Sequence, residues 1–460
     1  MVNKNRTNLW VLLILLVCCN GLQAQESQPN IVFIMADDLG YSDVGYMNYK
    51  EGIQTPNIDD LANSGMVFTD AYAACPVCSP TRASLMTGKY PATLKLTTHI
   101  PGKPIEDYLV SNNRGMKLKS AYSIDHLPLE EITIAEVLRE RGYRTGFLGK
   151  WHLAGNGSVT TTDGIVNANY HPDKQGFDVN IGGCAYGQPR SYFSPYRNGT
   201  IQDGEDGEYL TDRLGDEAVK FITENKDRPF FLNLSTYTVH NPLRAPEETI
   251  EKYNGNTYFA MIEKLDQNVG KIMDHLKEQN LLENTIVFFY SDNGGVYGNA
   301  PLRSGKNSLY EGGLRVPLIV SWPEKIKAGS RCEKPVTTVD FFPTLLDLVN
   351  VSPKSHPQLE GTSILPLLLG ENNFPERAIY WHFPHNRGPY LAMGAAIREG
   401  DWKLVTRFDR EEIHLYNLEE DLEEENNLYL EYPEKTKDLM EKLEKWQAEV
   451  DAEMPQINNN

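Results

Sequence analysis

The 460-residue chain reads as an α/β protein. A mostly parallel sheet is expected to be covered by helices on both faces, with a smaller sheet-plus-helix region at the C-terminal end. Three observations predict this. Short, continuously apolar runs alternate with segments of helical period through most of the chain. The composition, 40% hydrophobic and 23% charged, is that of a globular protein long enough for a large core. After about residue 353 the pattern changes to short strands followed by one long amphipathic helix.

The first residues have the organisation of an export signal. Lys4 and Arg6 give a basic start, Leu9 to Val17 an apolar centre, and Leu22-Gln23-Ala24 a cleavage site, which predicts a leader over 1–24 and a mature start near Gln25. The apolar run is too short to span a bilayer comfortably. The expected location is therefore periplasmic or secreted. A lipid anchor through Cys19 is the alternative, although Val17 and Cys18 fit poorly with the small residues such an anchor requires.

Buried strands are predicted at Ile31 to Met35, Thr145 to Leu148, Phe230 to Leu234, Thr285 to Tyr290 and Pro317 to Ser321. Helices are predicted at Thr133 to Arg141, Tyr209 to Glu224, Tyr258 to Gln279 and Asp340 to Val349. The two prolines between Ser352 and Pro357 mark a linker, so the division is 25–352 and 353–460. In the second part, Ala378 to His382, Ala395 to Arg398 and Lys403 to Thr406 read as strands, and Tyr432 to Glu453 as a helix. The acidic stretch Glu411 to Asn427 reads as a solvated face.

A net charge of −19 argues against nucleic acid or an anionic membrane as partner. Without the leader, four cysteines remain (Cys75, Cys78, Cys184 and Cys332), too few for a disulfide scaffold in a chain of this length.

Four apolar runs end in polar residues suited to one site. Ile31 to Met35 leads to Asp37-Asp38, and Thr285 to Tyr290 to Asp292-Asn293-Gly294. Thr145 to Leu148 precedes Lys150-Trp151-His152, and Phe230 to Leu234 precedes His240-Asn241-Pro242. Ligands of open α/β sheets gather beyond these carboxyl ends. Asp37, Asp38, Asp292 and Asn293 are hard oxygen donors, suited to Ca²⁺ or Mg²⁺ rather than zinc. Each pair alone is also ordinary turn chemistry. In Cys78-Ser79-Pro80-Thr81-Arg82-Ala83-Ser84-Leu85-Met86-Thr87-Gly88, Pro80 suits a helix's first turn. Cys78 is thereby placed at a helix N-terminus, which favours negative charge.

The Cys78 stretch resembles the signature of the formylglycine-dependent (type I) sulfatases. Asp37-Asp38-Leu39-Gly40, Gly142-Tyr143-Arg144-Thr145, Gly149-Lys150-Trp151-His152-Leu153, Ser291-Asp292-Asn293-Gly294, Gly305-Lys306 and Tyr310 to Pro317 also resemble motifs of that family, in the same order. Thr81 stands where the family more often has Ser, and both offer a hydroxyl. The resemblance implies an alkaline-phosphatase-like fold and a sulfuric ester hydrolase. It further implies that a maturase converts Cys78 to formylglycine. One cation, Ca²⁺ with Mg²⁺ as second choice, would be held by Asp37, Asp38, Asp292, Asn293 and the modified Cys78. Arg82 and Lys150 would position the aldehyde hydrate, His152 would serve as its base, and His240 and Lys306 would hold the sulfate and protonate the departing oxygen. The expected substrate is a sulfated carbohydrate, such as galactose or N-acetylgalactosamine sulfate, with His99, Arg303, His382, His385 and Arg387 as candidate sugar-binding residues. Two rivals stand beside this reading. One is a phosphomonoester or phosphonate hydrolase on the same scaffold, for which no second metal cluster is evident; the other is a catalytically silent glycan-binding protein.

Overall fold

The computed structural model describes residues 28–101, 104–155, 167–371, 373–387 and 393–459. The leader predicted over 1–24, with Cys18 and Cys19, lies outside the described residues. No described helix is long and apolar enough to cross a membrane.

The main sheet has eight strands: β1 (Asn30–Ala36), β2 (Met66–Phe68), β3 (Arg144–Gly149), β4 (Val179–Ile181), β5 (Phe230–Ser235), β6 (Thr285–Ser291), β7 (Leu318–Ser321) and β8 (Ser330–Cys332). Their order across the sheet is β8-β2-β7-β6-β1-β5-β3-β4. Only β7 runs antiparallel to its neighbours. The other pairings are parallel, so the carboxyl ends of β1, β3, β5 and β6 share one edge. The three strands that sequence patterning misses, β2, β4 and β8, have three residues each, too few to show a period.

Successive side chains of β1 serve opposite faces, as a strand's period of two requires. Ile31, Phe33 and Met35 pack into one core with residues of α1 (Cys78–Thr87), α2 (Ile134–Glu140) and α5 (Phe341–Leu348). Val32, Ile34 and Ala36 pack into the other with α3 (Leu210–Asn225) and α4 (Thr257–Glu278). Burial of both faces explains why these strands read as continuous apolar runs. Each fully buried Phe, Leu or Ile contributes about 1.5–3 kcal/mol.

The C-terminal region forms an antiparallel meander of β9 (Ala378–Phe383), β10 (Gly394–Glu399), β11 (Trp402–Arg407) and β12 (Glu412–Asn417). One face packs Ile379, Trp381 and Val405 against Tyr72, Leu309 and Leu314 of the main body. The other buries Ile397 and Leu404 under Leu439, Leu443 and Trp446 of α6 (Pro433–Glu449). The acidic stretch is therefore not wholly a solvated face. It contains β12, and Glu424 is fully buried. Lys403 Nζ offsets that charge, lying 2.9 Å from Glu424 Oε1 and 2.8 Å from Glu311 Oε1. Glu311 also accepts from Tyr72 Oη at 2.7 Å, so the seam between sheet and main body is ionic as well as apolar.

Candidate active site

Residue 78 is the first residue of α1, after an extended Val77 that provides no side-chain cap. The Thr81 hydroxyl stabilises this turn instead, lying 3.1 Å from Cys75 O and accepting from Cys75 N at 3.2 Å. One helical turn further on, Arg82 is buried, and its Nε and Nη2 donate to Asp292 Oδ2 at 2.9 and 2.7 Å. Its Nη1 donates to Lys150 O at 2.7 Å. The fork ties the helix bearing Cys78 to the ends of β3 and β6.

Asp37 and Asp38 leave the end of β1. Lys150 Nζ donates to both Asp37 oxygens at 2.9 and 2.7 Å, and both side chains are fully buried. Lys306 Nζ donates to both Asp38 oxygens at 2.5 and 2.7 Å and lies 3.4 Å from Cys78 Sγ. Asp38 N donates to Asp292 Oδ1 at 3.1 Å, and Asn293 Nδ2 donates to Asp38 Oδ1 at 2.8 Å. His240 Nε2 stands 3.8 Å from Asp38 Oδ2. Asp38, Cys78 and His240 form one compact group of ligand atoms, and Asp37, Cys78 and Asp292 another. Three carboxylates and three cations thus meet around one sulfur.

Local backbone serves this convergence. Gly149 has φ +95, and a Cβ there would lie 2.0 Å from Ser235 O, the acceptor for Lys150 N at 2.7 Å. Asp38 and His152 adopt φ 63 and 58, a costly region for non-glycine residues that concentrates at functional sites.

The electrostatics follow from these contacts. Burial raises the Asp38 and Asp292 carboxyls, but Lys306 beside the first and Arg82 beside the second outweigh it and hold both below the usual range. For Asp37, burial prevails over Lys150 and pushes the carboxyl up. Burial also opposes ionisation of the Cys78 thiol, yet Lys150 and Lys306 bring it down to about 6. His152 is held neutral by burial and by Lys150. Its Nε2 pairs with Ile100 O at 2.8 Å, and its buried Nδ1 has no partner. His240 is pushed up: burial and Lys150 work against its charge, but Asp37, Cys78 and Asp38 together outweigh them. Its Nδ1 pairs with Asn241 O at 2.5 Å, which leaves Nε2 facing Asp38.

The donor set fits a divalent cation. Asn293 Oδ1 is buried and unpartnered while its amide nitrogen is engaged, an arrangement that leaves one hard oxygen free beside Asp38. The cluster is rich in carboxylate oxygen and has no pair of thiolates to favour zinc.

The ten residues Asp37, Asp38, Cys78, Arg82, Lys150, His152, His240, Asp292, Asn293 and Lys306 therefore converge. The sugar-binding candidates divide. Arg387 Nη1 lies 3.0 Å from His99 Nδ1, and its Nε donates to Asn307 Oδ1 at 2.7 Å, next to Lys306. Tyr108 Oη also accepts from Arg387 Nη1. Asn307 and Tyr108 were not singled out from the sequence; for Asn307, adjacency to Lys306 was the signal. Arg303 instead lies against the C-terminal sheet, stacked 4.0 Å from the Tyr310 ring centre and donating to Tyr416 Oη at 2.8 Å and Glu424 O at 2.7 Å. His382 is buried between Gln447 Nε2 at 3.1 Å and Glu453 O at 2.9 Å. His385 is buried against Thr97 Oγ1 at 2.8 Å. Arg303 and His382 thus meet groups of the C-terminal region, whereas His385 joins that region to the main body and keeps a buried Nδ1 without a partner.

A centre that gathers cations around buried carboxylates and a thiol on the rim of a parallel sheet is suited to joining two anions, as hydrolysis of an acidic ester requires. The chain belongs to the sulfatase family, and it is a sulfuric ester hydrolase: the profile described as Sulfatase matches residues 29–351. A second, described as N-sulphoglucosamine sulphohydrolase, C-terminal, matches residues 304–451. The N-acetylgalactosamine-6-sulfatase of Canis lupus familiaris is 31% identical over 81% of this chain and 72% of its own. A protein named Sulfatase from Formosa agariphila is 31% identical over 91% of this chain and 88% of its own. Among solved structures, Ps i-CgsB in complex with k-i-k-neocarrahexaose is similar with a TM-score of 0.76 and 34% identity, covering 91% of this chain and 93% of that one.

Proposed function

We propose that this sulfatase is exported and releases inorganic sulfate from a sulfated carbohydrate of galacto configuration, using a formylglycine made from Cys78 and one Ca²⁺. The observation that carries the reading is the placement of Cys78 Sγ at the start of α1, 3.4 Å from Lys306 Nζ and grouped with Asp37, Asp38, Asp292 and His240. The N-acetylgalactosamine-6-sulfatase named above supports the sugar class.

Asp37, Asp38, Asp292 and Asn293 would hold the cation, which when bound supplies positive charge to the attacking oxygen at residue 78 and to the sulfate. Formylglycine would supply a hydrate with two hydroxyls: the oxygen of one would attack sulfur, and deprotonation of the other would break the carbon–oxygen bond to that first oxygen, releasing sulfate and restoring the aldehyde. The remaining duties belong to side chains of this chain. Arg82 fixes the helix turn that carries residue 78. Lys150 and Lys306 offset the repulsion between nucleophile and sulfate in a buried site. His152, neutral and with Nδ1 unpartnered, accepts a proton from the hydrate. His240, held toward its charged form, and Lys306 bind sulfate and return a proton to the leaving sugar oxygen. Arg387, bonded to Asn307 and to His99, serves the sugar together with His99.

The test is the mass of the peptide bearing residue 78 in active protein, combined with sulfate release from defined sulfated mono- and oligosaccharides. An aldehyde at residue 78 and turnover of a galacto-configured sulfate are expected. A fully active preparation whose Cys78 alkylates as a thiol rules out the mechanism, and activity confined to other sugars rules out the substrate class. Mass of the mature N-terminus tests export, with a start near Gln25 expected and a lipidated Cys19 as the contrary result.

A further inference from the structure

A cleft of about 730 Å³ opens beside the reaction centre, within the range of ligand-binding clefts. Its wall begins at Asn241, the residue after His240, and continues through Arg244, Phe259, Tyr297 and Lys50. No carboxylate lines it. That is notable in a chain of net charge −19.

The surfaces are held in place. Tyr297 is 38% exposed, yet its ring packs 4.8 Å from that of Tyr258 and its hydroxyl donates to Asn241 Oδ1 at 2.8 Å. Lys50 Nζ donates to Tyr297 O at 2.9 Å and pairs with Asp43, which also accepts from Tyr258 Oη at 2.5 Å. Lys50 is thus partly neutralised and acts as a brace. Arg244 is different. It is exposed, its guanidinium donates from Nη1 to Leu243 O at 2.9 Å, and among the described residues no carboxylate forms an ion pair with it. Beyond Arg244 the surface becomes acidic, with Asp212, Glu247 and Glu248 lining the adjoining hollow.

We infer that this cleft binds the sugar next to the one being desulfated, and that Arg244 recognises an anionic group, a sulfate or carboxylate, on that neighbour. The inference rests on the glycan reading above and extends it from a monosaccharide sulfate to an oligosaccharide with a second charge. An exposed aromatic ring offers a flat face to the C–H side of a pyranose, Asn241 and Asn256 offer amides to its hydroxyls, and the guanidinium offers a fork to the anion. The acidic hollow beyond Arg244 repels a third charge and limits the bound length on that side.

The experiment compares wild type, Arg244→Gln and Tyr297→Ala on three probes. These are 4-methylumbelliferyl sulfate, and galactan or galactosaminoglycan oligosaccharides of equal length with or without a second anionic group on the neighbouring sugar. Arg244→Gln should lower kcat/KM about tenfold on the doubly charged oligosaccharide, through KM, the size expected for one charge-assisted hydrogen bond. On the singly sulfated oligosaccharide and the aryl sulfate it should match wild type. Tyr297→Ala should weaken both oligosaccharides and spare the aryl sulfate. Wild-type glycan turnover that Arg244→Gln leaves unchanged overturns the cleft assignment alone, as does an equal loss on all three probes. A wild-type enzyme that hydrolyses the aryl sulfate but no glycan overturns the carbohydrate reading and this inference with it.

Discussion

Lys306 holds Asp38 and Cys78 together: one ammonium donates to both oxygens of the carboxylate and lies 3.4 Å from the sulfur. Asp38 comes from the end of β1, Cys78 from the start of α1, and Lys306 from a loop more than two hundred residues later. Closing this triangle brings the proposed nucleophile and a positive charge into one unit.

Lys306→Ala should therefore lower kcat on an aryl sulfate by about 10²–10³-fold, the usual size for losing one preorganised charge at a reacting oxygen. The loss should be smaller on an ester with an acidic phenol, which needs less proton donation. Steady-state kinetics on two aryl sulfates of different leaving-group acidity check this, with circular dichroism confirming the fold. Equal losses on both esters would remove Lys306 from proton donation.

Asp37→Asn and Asp292→Asn each remove a charged oxygen from the proposed cation site. Both should lower bound calcium, measured by elemental analysis of purified protein, and reduce activity by about tenfold or more. Full activity after exhaustive chelation, or stoichiometric zinc in place of calcium, would count against Ca²⁺.

Arg303 and Arg387 should separate kinetically. Arg387→Ala should spare a small aryl sulfate and weaken the glycan, as expected for binding remote from the reacting atoms. Arg303→Ala should lower kcat on both, because Arg303 fixes the loop of Lys306 to Tyr416 and Glu424. Arg303→Lys should restore little, since a single ammonium cannot both stack on Tyr310 and reach two acceptors. Parallel behaviour of Arg303→Ala and Arg387→Ala on the two substrates would contradict this assignment.

The buried Glu424 makes a prediction about stability. Burial raises its carboxyl to about 7, with Lys403 opposing and Glu311 adding, above the 4.5 of a free glutamate. The stabilisation it gives is complete below pH 4.5 and is lost as pH rises through about 7. Glu311, held near 2 because Lys403 and Arg315 outweigh its burial, acts only at lower pH. Between pH 5 and 8 the melting temperature of wild type should therefore fall relative to Glu424→Gln by about 2–4 °C. Parallel melting curves across that window would show that Glu424 stays ionised.

The legible part of this molecule was the part with a local signature. Strands buried on both faces appear as apolar runs, so β1, β3, β5, β6 and β7 could be placed within a residue or so of their ends. The polar residues just beyond four of these strands read as one site because parallel strands deliver their carboxyl ends to one edge, whereas Cys78, Arg82 and Lys306 join them only through the resemblance to the sulfatases. The illegible part depends on contacts distant in sequence. Nothing in Glu411 to Asn427 signals that Lys403 and Glu311 N await Glu424. A histidine such as His382 looks the same in sequence whether it meets a sugar or Gln447. Arg244 carries no sequence signal, because an exposed arginine has no pattern, and its setting emerges only when α4 and the loop of Tyr297 come beside it.

The contact of Arg303 with Tyr416 and Glu424 has a genetic consequence. The loop that supplies Lys306 is braced by residues about 110 to 120 positions downstream, Tyr416 on β12 and Glu424 beyond its end. A screen for inactive alleles would thus recover lesions in the last hundred residues that cannot be told from catalytic ones by phenotype. A stop codon near residue 353 would leave a chain that keeps Cys78 but has Lys306 unbraced. Complementation between the two halves, supplied as separate polypeptides, would succeed only to the extent that the downstream sheet finds that arginine again.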